Sequence, residues 1–187
     1  MKFVKITINQ VVFKLLLTFA HQISTLISIP LLASVVSSLE FGKVAMCLIL
    51  LQISWFISEW GVPNYSIELL SKGSKKKDKK DFLQTIIAFK LICFITLSFV
   101  YLLLIKYVFV DLNYLFFLAL IPSLLFGLFD LSWFFSLINK THRIVTVTFI
   151  ARILFLVGVF FLIKTDMDSY KYLLFHGASL GIISLYS

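Results

Sequence analysis

Long apolar blocks separated by short polar segments organise this chain of 187 residues. A helix needs about 20 residues to cross the ~30 Å hydrocarbon core of a bilayer. Blocks of about this length or somewhat longer cover residues 11–36, 43–70, 82–109, 112–138, 144–163 and 171–187. They lack the alternating pattern of transmembrane β-strands, which repeats over about ten residues. The pattern therefore predicts an all-α, polytopic transmembrane bundle of about six helices in one domain.

The composition excludes an ordinary soluble domain. Hydrophobic residues make up 60% of the chain and charged residues 14%, whereas soluble domains are roughly half apolar and one quarter charged. The net charge of +8 comes mostly from cations in the polar breaks, and no basic stripe is interleaved with surface aromatics. We therefore expect membrane lipids, and not nucleic acid, to surround this protein.

The distribution of Lys and Arg predicts the orientation. With a cytoplasmic N-terminus, ten cations fall on the cytoplasmic side, namely Lys2, Lys5, Lys72, Lys75, Lys76, Lys77, Lys79, Lys80, Lys140 and Arg143. Three fall on the opposite side, namely Lys43, Lys106 and Lys164. This asymmetry obeys the positive-inside rule. A basic cytoplasmic loop at 71–81 would hold the orientation, and binding of anionic lipids is the alternative role for its lysines.

The first helix carries a stripe of polar residues. At 100° per residue, they fall within about 80° of the helix circumference, and they are Gln10, Lys14, Thr18, His21, Thr25 and Ser28. Such a stripe turns toward water or toward other helices. One interpretation is a polar cavity that Lys14 and His21 face. The other is a contact between helices, with Lys14 extending to the cytoplasmic headgroups.

Lys90 and Arg152 are predicted to lie deep in the membrane. Lys90 lies nine residues beyond Asp81, and Arg152 lies nine residues beyond Arg143. Nine residues correspond to about 13 Å of helix. A charge at this depth costs about 3 kcal/mol or more unless it has a partner. Asp130 and Glu59 are the candidate partners inside the bundle. A cationic cavity for an anionic substrate, lined by Lys14, His21, Lys90 and Arg152, is the alternative.

Nothing in the sequence predicts catalysis. His21, His142 and His176 are far apart, and none has a partner at metal-ligand spacing. The chain has no nucleophile elbow, phosphate-binding loop or paired acidic motif. We therefore expect no enzyme activity, no metal and no cofactor.

Several segments resemble a known family. The segment 38–45 (SLEFGKVA) is similar to the Leu…(Phe/Tyr)-Gly…Ala segment that opens the second helix of bacterial polysaccharide flippases. These proteins transport lipid-linked O-antigen repeat units and belong to the multidrug/oligosaccharidyl-lipid/polysaccharide exporter superfamily. The segment 55–64 (WFISEWGVPN) resembles their acidic-aromatic-Gly-x-x-Asn motif. Lys90 falls where their third helix often has a lysine.

The longest resemblance runs through the second half of the chain. Ile121-Pro122, Trp133-Phe134-Phe135, Ile144, Ala151-Arg152-Ile153 and Asp168-Ser169-Tyr170 follow the order of the family's Pro…Trp-Phe-Phe…Ile…Ala-Arg-Ile…Asp-Tyr pattern. Ser136-Leu137 stand where the family commonly has Gln-Gly. Family members have twelve helices in two six-helix halves around a central cavity. This chain resembles the N-terminal half only and ends inside its sixth helix.

The resemblance implies a function and a location. The expected activity is transport of undecaprenyl-pyrophosphate-linked O-antigen or other polysaccharide repeat units across the bacterial inner membrane. Lipid-linked oligosaccharide is the implied substrate, and a missing second half or other polysaccharide-assembly proteins are the implied partners. The alternatives are a drug or ion antiporter of the same superfamily, a non-transporting assembly subunit or fragment, and a membrane-bound transferase.

Overall fold

Helices make up almost all of the structure, a computed structural model that describes residues 8–59, 62, 76–107, 114–129 and 141–186. The described residues form six long α-helices, namely α1 (Ile8–Val35), α2 (Ser38–Glu59), α3 (Lys76–Tyr107), α4 (Tyr114–Leu128), α5 (Thr141–Leu162) and α6 (Lys171–Tyr186). A 3₁₀ turn, Asp166–Asp168, precedes α6. The described ranges contain no β-strand. The predicted all-α bundle is confirmed.

Four of the described helices are long and apolar enough to cross a bilayer. The apolar stretches are Leu15–Val35 in α1, Ser38–Glu59 in α2, Gln84–Tyr107 in α3 and Ile144–Leu162 in α5. They contain 21, 22, 24 and 19 residues, close to the roughly 20 that a bilayer requires. The helices α4 and α6 are shorter, with 15 and 16 residues. The predicted continuation of α4 to residue 138 lies outside the described residues.

Helices α2 and α3 begin five and six residues earlier than their apolar blocks, and α1 and α5 each begin three residues earlier. Helix α2 begins at Ser38 and not at 43, because Ser37 accepts a hydrogen bond (3.5 Å) from the backbone N–H of Glu40 and so caps the helix. Helix α3 begins at Lys76, so the prediction of a loop over 71–81 is wrong for residues 76–81. Lysine is a good helix former although it is not apolar. Residues 71–75 lie outside the described residues.

The order of helices around the bundle differs from their order in the chain. Helix α4 packs along α6, α6 along α5, and α5 along α1, while α2 and α3 pack mainly on α4. The backbones of α4 and α6 approach closely at Gly177 of α6, where an added Cβ would lie 2.7 Å from the backbone nitrogen of Ser123. Gly181, one turn later, faces the ring of Phe126. This Gly-x-x-x-Gly spacing lets two helix backbones approach closely in a membrane.

The connection between α1 and α2 meets the connection between α5 and α6 at one end of the bundle. The backbone N–H of Ser37 donates to Asp166 Oδ1 (2.5 Å), and Ser169 Oγ donates to Glu40 Oε2 (2.7 Å). A cavity of about 340 Å³ at this end is also lined by Leu115 from the start of α4. We call the polar residues at this end the turn cluster, and they are Ser37, Glu40, Lys43, Asp166, Asp168, Ser169 and Lys171. Their meeting agrees with helices that cross in alternating directions; which side is cytoplasmic stays a prediction.

Candidate functional site

A buried arginine contacts a histidine from another helix near the middle of the bundle. Arg152 lies in the apolar stretch Ile144–Leu162 of α5 and is only 5% exposed. Its Nη2 lies 2.7 Å from Nδ1 of His21 on α1. A guanidinium group can only donate hydrogen bonds, so Nδ1 of His21 must accept. The imidazole is therefore neutral in this arrangement, with its hydrogen on Nε2.

A third helix completes the surroundings of Arg152. Nη1 of Arg152 donates to Ser179 Oγ of α6 over 3.5 Å, and Ser179 Oγ donates to the backbone carbonyl of His176 (2.7 Å). The Arg152–Ser179 contact is long and therefore weak. Together these contacts make α1, α5 and α6 converge on one cation.

A neutral hydrogen bond lies beside this cation. Ser28 of α1 and Tyr172 of α6 are almost completely buried, and their hydroxyl oxygens are 2.9 Å apart. Ser28 Oγ also donates to the Thr25 carbonyl (3.2 Å), so the Tyr172 hydroxyl donates to Ser28. The ring of Phe155 meets Tyr172 edge-on at 5.3 Å. We call His21, Ser28, Arg152, Tyr172, His176 and Ser179 the polar seam.

His176, at one end of the polar seam, is enclosed by aromatic side chains, which we call the aromatic cage. Its ring stacks on Trp55 of α2 (5.8 Å, 19°) and meets Phe155 edge-on (5.9 Å, 80°). Its Nδ1 and the Trp55 Nε1 are both buried and have no hydrogen-bond partner among the described residues. A buried polar atom without a partner costs about 1–3 kcal/mol. The two unpaired nitrogens thus reduce the stability of the fold, which apolar side chains at these positions would not do.

The predicted stripe on α1 is only partly buried. Ser28 is buried, His21 and Thr25 are half-buried, and Thr18 is exposed. Ser24, which the stripe omitted, is also buried. Ser24 and Thr25 both donate to the His21 carbonyl, over 2.8 and 3.1 Å, so they satisfy their hydroxyls within their own helix. The side chains of Gln10 and Lys14 lie outside the described residues.

Lys90 is completely buried, as its predicted inward position requires. It lies on the face of α3 that also buries Ile86 and Tyr101, and α3 packs on α4 and α2. Arg152 lies on α5, whose main neighbours are α1 and α6. The two cations therefore lie on helices with different principal neighbours. A single cavity lined by both of them stays a prediction.

The predicted acidic partners do not take part in the contacts described above. Glu59 is the last residue of α2, and its side chain is exposed. Asp130 lies outside the described residues, so its pairing with a buried cation stays a prediction.

The residues that α6 contributes to the polar seam were not predicted from the sequence. Tyr172, His176 and Ser179 are spaced by four and three residues, which places them on one face of a helix. This spacing in an otherwise apolar helix is a signal that could have identified them. Only His176 was considered, and only as a metal ligand.

Comparisons with known proteins identified no related protein. No protein-family model matches the chain, and no curated protein or solved structure is significantly similar to it.

Proposed function

We propose that this protein is a flippase, which moves undecaprenyl-pyrophosphate-linked O-antigen or other polysaccharide repeat units across the bacterial inner membrane. The observation that carries the proposal is the position of Arg152, buried near the middle of α5 and in contact with His21 from α1. Removing a cation from water costs several kcal/mol. A membrane protein retains such a group where it has a function.

The chemistry of arginine fits a pyrophosphate headgroup. The planar guanidinium presents its N–H groups as a fork that matches two phosphate oxygens. The doubly anionic headgroup is the part of the lipid-linked substrate that the membrane core excludes most strongly, because ions lose their hydration there. Arg152 offsets this loss halfway across, while the polyprenyl chain stays in the lipid. Rocking of this half against a second half would expose the site to each side in turn.

The polar seam favours an anionic cargo over a cationic one. An antiporter for protons or cationic drugs requires carboxylates facing its cavity. Among the described residues, the seam consists of one arginine with serines, histidines and a tyrosine, and Glu59 is exposed at the end of α2.

Transport can be measured in vesicles. The protein is reconstituted into liposomes that contain a fluorescent undecaprenyl-pyrophosphate oligosaccharide, and a membrane-impermeant reductant quenches the label in the outer leaflet. Wild-type protein is expected to expose nearly all of the label, whereas empty liposomes protect about the share that the inner leaflet holds. Arg152→Ala should slow exposure at least about tenfold, which corresponds to about 1.4 kcal/mol at the barrier. Equal protection with wild-type protein and without protein would contradict the proposal.

A further inference from the structure

We propose that the polar seam couples the anion to a proton: His21 takes up a proton at Nδ1 when an anionic headgroup binds Arg152. This inference deepens the proposed function and rests on it. It assigns to His21 a role beyond lining a cavity, because it makes the protein bind its cargo together with a proton.

The coupling follows from one shared hydrogen-bond donor. In the structure Nη2 of Arg152 donates to Nδ1 of His21 (2.7 Å), which keeps the imidazole neutral. A phosphate oxygen is a stronger acceptor for a guanidinium than a neutral imidazole nitrogen, because the bond is then charge-assisted on both sides. Binding of the headgroup therefore withdraws Nη2 from His21. The released Nδ1 can accept a proton, and the imidazolium then donates to the same anion.

Within the polar seam, the charges balance when the proton is bound. A pyrophosphate that carries a lipid on one side and a sugar on the other has two negative charges, and Arg152 supplies one positive charge. A protonated His21 supplies the second, so the complex reaches neutrality inside the membrane. Neutrality matters there because an uncompensated charge in a low-dielectric interior costs several kcal/mol.

The other groups around His21 do not replace it. Besides Arg152, the described titratable group that interacts with His21 is His176 of α6. Tyr172 of α6 lies beside Arg152, and Lys14 is the nearest cation to His21 along the sequence of α1. Tyr172 already donates to Ser28. His176 is only 7% exposed and is enclosed by Trp55 and Phe155. His21 is only half-buried, so its ring is less enclosed than that of His176.

Coupling of this kind is reciprocal, so pH must change the affinity for the anion. If one proton binds with each anion, the affinity rises by up to about tenfold for each unit that the pH falls, until His21 is protonated without the anion.

The test measures heat and proton uptake in lipid nanodiscs. The probe is a water-soluble citronellyl-pyrophosphoryl sugar, whose disubstituted pyrophosphate does not itself titrate near neutral pH. Calorimetric titrations in buffers of different ionisation enthalpy give the number of protons taken up on binding. His21→Asn keeps an acceptor oxygen near the Nδ1 position but cannot be protonated. His142→Asn, at the start of α5, is the matched control.

The expected result is uptake of about one proton by wild type and by His142→Asn, with binding that strengthens as pH falls. His21→Asn should still bind the probe, but with no proton uptake and little dependence on pH. Binding that requires Arg152 yet takes up no proton, or uptake that persists in His21→Asn, would overturn the coupling and leave the proposed function standing. No binding by wild type, or equal binding by Arg152→Ala, would overturn both.

Discussion

The polar seam and the turn cluster differ in what their positive charges contact. In the turn cluster each lysine has a carboxylate three residues away, since Lys43 contacts Glu40 (2.6 Å) and Lys171 contacts Asp168 (2.5 Å). In the polar seam Arg152 contacts a neutral histidine 131 residues away in the chain. The lysine charges of the turn cluster are thus paired with carboxylates of the same local segment, whereas the contacts of Arg152 with His21 and Ser179 join three helices.

This difference predicts where substitutions will matter. An exposed ion pair contributes about 0–1 kcal/mol, because water and salt screen it. Contacts of a buried charge contribute several kcal/mol, because nothing replaces them when they are lost. We therefore expect the seam to determine binding and transport, and the turn cluster to contribute only slightly to stability.

The largest effect is expected for Arg152→Ala. Loss of the guanidinium removes the only permanent charge of the seam, and truncation of a buried charged partner costs roughly 2–5 kcal/mol. The affinity for the citronellyl-pyrophosphoryl sugar should therefore fall at least about thirtyfold, as measured by calorimetry. Arg152→Lys keeps the charge but not the planar fork, so an intermediate affinity is expected. Wild-type affinity in Arg152→Ala would show that the seam does not bind the anion.

The next largest effect is expected on stability, when Gly177 in one region and Gly42 in the other are each replaced by alanine. A Cβ on Gly177, beside the seam, would meet the backbone of Ser123, whereas a Cβ on Gly42, between Glu40 and Lys43, meets open space. Gly177→Ala should therefore destabilise the protein by about 1–3 kcal/mol through overpacking of α4 against α6. Gly42→Ala should be neutral or stabilise by up to about 1 kcal/mol. Thermal unfolding in one detergent compares the two, and equal melting temperatures would contradict the close contact of α4 and α6.

A smaller effect is expected for Glu40→Gln in the turn cluster. The substitution weakens the contacts of this carboxylate with Lys43 and with Ser169, so stability should fall by no more than about 1 kcal/mol. Affinity for the pyrophosphate probe should stay within about twofold of wild type, well below the tenfold that 1.4 kcal/mol represents. A loss of affinity comparable with that of Arg152→Ala would end the distinction between the two regions.

The smallest effect is expected on thermal stability at acidic pH. Hydrogen bonds from Lys171, Thr165 and the backbone of Lys164 lower the pKa of Asp168 from 3.8 to about 2. The contribution of this carboxylate to stability is therefore complete above about pH 4 and is lost as the pH falls toward 2. Wild type should lose slightly more thermal stability between pH 5 and pH 3 than Asp168→Asn does. A larger loss in Asp168→Asn would contradict the assigned contacts.

The inward-facing sides of helices could be predicted from the sequence, but the neighbours of each helix could not. The positions of Lys90 and Arg152, nine residues into their blocks, correctly indicated burial. The contact of Arg152 with His21 was not foreseen, since Glu59 and Asp130 were the expected partners. Hydrophobic periodicity determines which face of a helix turns inward. It does not determine that α1 lies beside α5, which is what brings these two side chains together.

Helix ends were also only partly predictable. The apolar pattern located each of the six described helices, because a helix that crosses a bilayer requires about 20 apolar residues. It misplaced the start of α2, which the hydroxyl of Ser37 sets, and the start of α3, where Lys76–Asp81 continue the helix. Both are local polar effects that a count of apolar residues does not detect.

The most direct test combines the charge of the protein with the charge of the cargo. Translocation rates are measured in vesicles for an undecaprenyl-pyrophosphate oligosaccharide and for the same oligosaccharide joined to the lipid by an uncharged ether, with wild type and with Arg152→Ala. The two changes form a thermodynamic cycle that isolates their interaction. We predict that wild type moves the charged lipid at least about tenfold faster, relative to the uncharged lipid, than Arg152→Ala does. The same ratio of rates in both proteins would show that Arg152 does not act on the charge of the cargo.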